Sequence, residues 1–394
     1  MLNLKNNYFV IFLIFFTILS NYIFLLLELN SIIKINFLIF LISIIYYFTF
    51  IDRNLTLIIF FIAITVISLG SLNDFWDARS IWLYKAKFIF FENSVLKLNQ
   101  QPYFSHPDYP NIGPAFAATF AKILNTWNEV FPKTGLTFLF FPPLIILSIY
   151  FSNNYLYLLL ISCLFVIGKY FVNGEMDGLV SIYLCSSIIL LFEILKKNND
   201  KINFWSYLIL LNSIIILSLL KVEGTIIAFI IVFTSIFHLQ INQIKNRKLS
   251  LILIMSICPS LLWHIYTLSM DMFNMNTEYA YNIDSFSNRI ADLSNYFLIT
   301  KFIILNEKFM FSLAIYLISF YFLKNKKLFN FISFTVITYV IVLYIVYFST
   351  PLDIEFHLSS SANRVIKPLA LLLLITGIYN KAQNSRINGG SDPI

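Results

Sequence analysis

The chain has 394 residues, 59% of them hydrophobic and 12% charged, with a formal net charge of +7 and a mean hydropathy of +0.80. Repeated apolar runs of about 17 to 22 residues exclude a soluble globule, because that is the length a bilayer core demands. The basic residues stand in short clusters between those runs, as the positive-inside rule requires, so the positive charge gives no argument for a nucleic-acid partner.

In chain order, apolar runs at 8–29, 32–50 and 55–72 form an N-terminal group of membrane helices over 1–72. The first follows Lys5 but is longer than a signal-peptide core and lacks a small-residue cleavage site, which marks a retained span. An external loop over 73–134 comes next. Its portion within 71–114 is the longest polar interruption in the chain and gathers Asp74, Asp77, Arg79, Lys85, Lys87, His106 and Asp108 among Trp76, Trp82, Tyr84, Tyr103 and Tyr109. Charges kept beside a membrane at such cost point to function.

Within that loop, 78–91 predicts an interfacial helix with Asp77 at its start. Lys85 falls roughly 80° around from Asp77, and Lys87 points the opposite way. The sequence His106-Pro107-Asp108-Tyr109-Pro110 is a rigid turn that presents an imidazole and a carboxylate. A second interfacial helix is expected over 111–127, opened by Pro110 and Pro114 and carrying Lys122 midway.

Further runs at 135–151, 155–172, 177–195, 204–220, 223–239, 249–270, 309–323, 330–348 and 364–380 complete a helical core over 135–380, before a tail over 381–394. The expectation is an all-α polytopic bundle of about twelve spans. Cys163, Cys185 and Cys258 lie in apolar segments without metal-ligand spacing and read as core residues. His238 and His264 stand alone in apolar runs and read the same way.

Basic clusters at Lys196/Lys197/Lys201, Lys245/Arg247/Lys248, Lys324/Lys326/Lys327 and Lys381/Arg386 belong on the cytoplasmic side, with both termini. Alternation then places 173–177, 221–223, 271–308 and 351–363 outside, with the first loop. Glu175 and Asp177 stand at one outer mouth with only Lys169 near in sequence, so one acid needs a further cation or a divalent metal. Lys221 and Glu223 stand at another mouth, and His357 and Arg364 flank the last outer loop, where arginine suits a phosphate. Singly, each is accounted for as a cap, an ion pair or an anchor, and for Asp77 with its two lysines that is the better reading. Together, acids and bases from separate loops gather on one face, which anchoring alone does not require.

These motifs, W-D-A-x-x-x-W-x-x-K-A-K, H-P-D-Y-P, G-x-x-D, K-x-E-G and H-L-x-x-S-x-x-R in that order, resemble the membrane glycosyltransferases of the C type (GT-C). The resemblance runs over about 71–374. It points especially to bacterial members related to lipopolysaccharide-core galacturonosyltransferases and, more distantly, to aminoarabinose transferases and protein O-mannosyltransferases. Relatives often carry a second Trp where Arg79 stands, G-Y-A-D where this chain has Gly174-Glu175-Met176-Asp177, and K-N-E-G where it has Lys221-Val222-Glu223-Gly224.

The resemblance implies a GT-C fold in a bacterial inner membrane, a periplasmic site beneath the first long loop, a polyprenyl-phosphate sugar donor, and an envelope glycan, lipid or protein as acceptor. It assigns the general base to Asp77, with Asp74 and Asp108 as alternatives. Lys85 and Arg364, with Lys221, are expected to hold the departing phosphate, and His106, Glu223 and His357 to join in substrate binding. Glu175 and Asp177 are expected to bind sugar hydroxyls or a metal; no cofactor is required by the pattern, and Mg or Mn is the open alternative. The competing class is a transporter or flippase of a lipid-linked precursor. Transporters usually carry ionisable pairs near the midplane, whereas these charges stand at the mouths of the spans.

Overall fold

A computed structural model describes residues 4–72, 75–100, 106–196, 203–241, 246–270, 272, 283–323 and 325–388. Among the described residues the regular structure is entirely helical. The helices are α1 (Leu4–Leu26), α2 (Asn30–Tyr46), α3 (Leu55–Gly70), α4 (Leu83–Glu92), α5 (Ile112–Leu124), α6 (Phe131–Phe138), α7 (Phe141–Ile149), α8 (Asn153–Ile167), α9 (Asp177–Lys196), α10 (Phe204–Leu220), α11 (Val222–Ile241), α12 (Arg247–Ser269), α13 (Ile283–Ile290), α14 (Leu293–Ile303), α15 (Glu307–Leu323), α16 (Lys326–Ser349), α17 (Ile354–Val365) and α18 (Lys367–Asn388). Helix is the answer physics forces on such a chain, since a backbone in lipid must satisfy its own polar groups.

The starts of these helices are written in the sequence by asparagine and aspartate. Asn54, Asn246, Asn325 and Asp353 each accept a hydrogen bond from the backbone N–H three residues on, at 2.9 to 3.3 Å. Such caps satisfy donors that a helix cannot pair internally.

Among the described residues, nine helical stretches are long and apolar enough to cross a membrane, or ten if the pair α14 and α15, bent by 73°, counts as one span. The chain is thus a polytopic helical bundle. Two of the twelve expected spans are the shorter helices Leu55–Gly70 and Phe204–Leu220, of 16 and 17 residues. At 1.5 Å per residue each reaches only about 25 Å, short of a hydrocarbon core of about 30 Å.

The chain divides into two compact units. The first comprises 1–147, 169–228 and 246–272, and the second 148–168, 229–245 and 273–394.

In the first unit α5 is the hub, touching α1, α2, α4, α6 and α10. Every residue from Ile112 to Lys122 is buried, whereas an interfacial helix keeps a polar face exposed. The expected interfacial helix is therefore an enclosed one. Its small residues explain this: a Cβ on Gly113 would lie 2.7 Å from Met176, and one on Gly135 of α6 would lie 2.8 Å from Phe120. Without those side chains the backbones approach closely, which is how helices gain packing energy in lipid. Phe37 and Phe40 of α2 close edge-on against Phe116 and Phe120, and Asn21 of α1 donates to Thr119 at 2.5 Å.

In the second unit α18 packs on α15 and α8. Ser319 donates to the Gly377 carbonyl at 2.8 Å, and Tyr155 and Ser385 share a 2.7 Å hydrogen bond. Arg289 of α13 donates to the carbonyls of Tyr347, Thr350 and Leu352 and so fixes the corner between α16 and α17.

Candidate active site

The site lies in the first unit and begins with Asp77. This residue has helical angles, φ −59° and ψ −39°, and makes no capping hydrogen bond; a wide turn of π type, Ala78–Trp82, links it to α4. It is thus part of the helix rather than the cap that its position ahead of 78–91 suggested. Its side chain is half-buried, while Trp76 beside it is exposed. The alternative base Asp74 lies outside the described residues.

One turn past the motif's second Trp, Lys85 turns inward and Lys87 outward, the opposition that helical spacing gives. The buried Lys85 ammonium donates to the His106 carbonyl at 2.6 Å and to the Tyr109 carbonyl at 3.4 Å, and stands 5.9 Å above the Tyr109 ring. His106 takes a left-handed φ of +56° and stacks its ring on Tyr109 at 4.5 Å. The His-Pro-Asp-Tyr-Pro turn is therefore pinned by a lysine from α4, and Trp263 of α12 holds it from another side by donating to the Asp108 carbonyl at 2.8 Å.

Burial pushes the Lys85 ammonium below its usual range, opposed by the nearby Asp108 carboxylate. Burial likewise pushes Asp108 up; Lys85 opposes the shift and Glu223 adds to it.

At the mouth of α11, Lys221 lies 3.0 Å from Asp177 and 2.9 Å from Glu223. The expected partner of one acid at 173–177 is therefore this lysine, which bridges the starts of α9 and α11. A single cation between two carboxylates holds both helix ends in register, and both acids stand where the helix dipole favours negative charge. The second Glu223 oxygen is buried without a hydrogen-bond partner. Gly224 is required beside it, because a Cβ there would collide with the Leu217 carbonyl.

Glu175 is buried and accepts from Asn173 at 2.5 Å. Its carboxyl is raised above the ordinary range by burial first, then by the carboxylates of Asp177 and Asp77, with Asn173 and Lys169 acting in the opposite sense. Ala78, the residue after Asp77, packs on Gly174 at the α9 mouth, where a Cβ on residue 174 would stand 3.4 Å from the Ala78 methyl group. The exposed Lys169 has its ammonium 4.8 Å from the Phe75 ring and 5.1 Å from that of Tyr170.

The structure brings Asp77, Lys85, His106, Asp108, Glu175, Asp177, Lys221 and Glu223 into one unit. His357 and Arg364 belong to the other. There the His357 ring meets Tyr347 at 5.0 Å and its Nδ1 is buried without a hydrogen-bond partner, and both Arg289 and Arg364 lie within its electrostatic reach.

Sequence reasoning missed Lys133 of α6, which is fully buried and donates to the carbonyl and hydroxyl of Ser71 at 2.5 and 2.8 Å. Its signal was present, a lysine inside an apolar helix, which is a functional or structural marker by default. It also missed Asn111, at the start of α5, whose side-chain amide is buried with neither polar atom bonded.

Among the described residues, no group of three or more His, Cys, Asp or Glu side chains is placed to hold a metal ion. The arrangement offers a half-buried carboxylate beside a protonation-prone one, with lysines on either side. Such a set can accept a proton and balance a developing negative charge. In comparisons with known proteins, no protein family, no curated protein and no solved structure matches the chain.

Proposed function

We propose that this chain is a membrane glycosyltransferase that moves a sugar from a polyprenyl-phosphate carrier to a hydroxyl of an envelope acceptor, on the outer face of a bacterial inner membrane. The observation that carries the reading is the close packing of Ala78, the residue after Asp77, on Gly174 at the acidic mouth of α9, beside a lysine-pinned turn. Resemblance to the GT-C enzymes supplies the chemistry, and the apolar helices supply a medium for a lipid donor.

In the proposed reaction the acceptor oxygen attacks the anomeric carbon and its proton passes to Asp77. The bond from that carbon to the phosphate oxygen breaks, and polyprenyl phosphate leaves with the electron pair. Because attack is opposite the leaving group, the sugar's configuration inverts. Lys169, exposed beside the acids, and Lys85, behind the turn, are the cations of this unit that favour the departing phosphate. Lys221 is assigned to structure, since two carboxylates already neutralise it.

The test is mass spectrometry of lipids that co-purify with the protein. A polyprenyl-phosphate sugar supports the reading and names the donor. A lipid-linked oligosaccharide that crosses vesicles unchanged in the presence of the protein would instead favour transport.

A further inference from the structure

We propose that the hairpin of α15 and α16, in the second unit, carries a binding site for one anionic phospholipid. A groove of about 520 Å³ opens there, lined by Leu317, Ile318, Tyr321 and Phe322 on one helix and by Lys326 and Phe329 on the other. Its volume falls within the roughly 300–1,000 Å³ typical of ligand clefts.

The groove is built rather than incidental. Phe329 stacks on Tyr316 with centroids 5.4 Å apart and packs on Phe320 at 5.5 Å. The Tyr316 hydroxyl donates to the Phe329 carbonyl at 2.9 Å, which locks the two helices across the floor. Yet the walls stay uncovered: Tyr321 and Phe322 are 77% and 72% exposed.

Charge says what covers them. Lys326 and Lys327 open α16 at the rim, both exposed, and Asn325 caps that helix by accepting from Leu328. The rim thus combines two ammonium groups with the positive end of a helix that is itself a candidate span. An apolar trough under a cationic rim, at the end of a membrane helix, fits an acyl chain below and a phosphate above. Aromatic side chains at that depth suit the headgroup region. The positive-inside rule puts this rim on the cytoplasmic leaflet, and the proposal does not rest on the reaction proposed above.

The experiment uses the full chain in nanodiscs of phosphatidylcholine doped with a photoactivatable phosphatidylglycerol, with labelled peptides mapped by mass spectrometry. Label should concentrate on the segment from Leu317 to Phe329 and be competed by unlabelled phosphatidylglycerol but not by phosphatidylcholine. Lys326→Ala with Lys327→Ala should lower labelling there by about fivefold or more, since each lysine near an anionic headgroup adds binding energy; the paired arginine substitutions should retain it. Leu317→Trp, which fills the trough and leaves the charge, should abolish it. Equal labelling by a phosphatidylcholine probe, full labelling of the alanine pair, or crosslinks from this segment to a second copy of the chain in place of lipid would each overturn the proposal.

Discussion

Ala78 packs against the backbone of Gly174, so closely that a Cβ on residue 174 would stand 3.4 Å from the Ala78 methyl group and 3.2 Å from Cγ of Lys133. Gly174 also has φ +82°, a region that side chains disfavour. This contact joins the Trp-Asp-Ala motif to the mouth of α9, and it explains how Asp77 comes within reach of Glu175.

Gly174→Ala should therefore destabilise the protein by about 1–3 kcal/mol, from backbone strain and crowding together. Thermal unfolding in detergent measures it. Gly70→Ala is the control, because nothing lies within 4 Å of a Cβ there; its unfolding midpoint should match the wild type or rise slightly.

Lys221→Met leaves the buried Asp177 and the partly buried Glu223 without their shared cation. Breaking such a pair from one side costs about 3–5 kcal/mol, most of it the penalty of stranded charge. Adding Asp177→Asn and Glu223→Gln to Lys221→Met should recover most of the loss in the same unfolding assay. A single variant as stable as the wild type would show that solvent already screens these acids.

Glu175 gives a pH dependence of definite sign. Its carboxyl is raised in the folded protein above its ordinary value of 4.5. A raised group contributes stability that is fully present below the unfolded value and is lost as pH rises through the folded one. Glu175→Gln keeps the neutral form at every pH, so it should match the wild type near pH 4 and exceed it as pH rises from the ordinary value through the raised folded one, with no further gain beyond. Unfolding midpoints across that range check the sign, and a variant penalised most at high pH would contradict it.

Lys85 and Lys87 should separate cleanly. Lys85→Met removes the clamp on the His106 and Tyr109 carbonyls together with a cation near the proposed phosphate path. Losing a charge-assisted contact of this kind costs about 1.5–3 kcal/mol, or roughly 10- to 150-fold in use of the lipid donor. Lys87→Ala, on the exposed side, should change donor use less than about twofold, as ordinary surface substitutions do.

Much of this was legible from local rules. Apolar runs located the helices, asparagines marked several of their starts, and helical spacing gave the opposed directions of Lys85 and Lys87. Contacts between distant segments were not. The bridge from Lys221 to Asp177 and Glu223 joins two helix mouths, and no local pattern specifies which cation meets which acid. The enclosure of α5 was hidden for a related reason: Lys122 and two prolines suggest an exposed amphipathic helix, but Gly113, Ala115, Ala117, Ala118 and Ala121 let neighbours close around it. Lys122 is accommodated there by donating to Asn93, Asn30 and the Phe90 carbonyl.

The most direct test of the central claim is transfer of a radiolabelled sugar from polyprenyl phosphate to membrane acceptors by purified wild type and Asp77→Asn. The asparagine keeps size and polarity but cannot take the acceptor's proton, so turnover should fall by roughly 10² to 10⁴ while donor binding barely changes. Wild-type transfer by Asp77→Asn would move the base to Asp74 or Asp108. No covalent sugar product from the wild type, or undiminished turnover with all three aspartates replaced, would contradict the account.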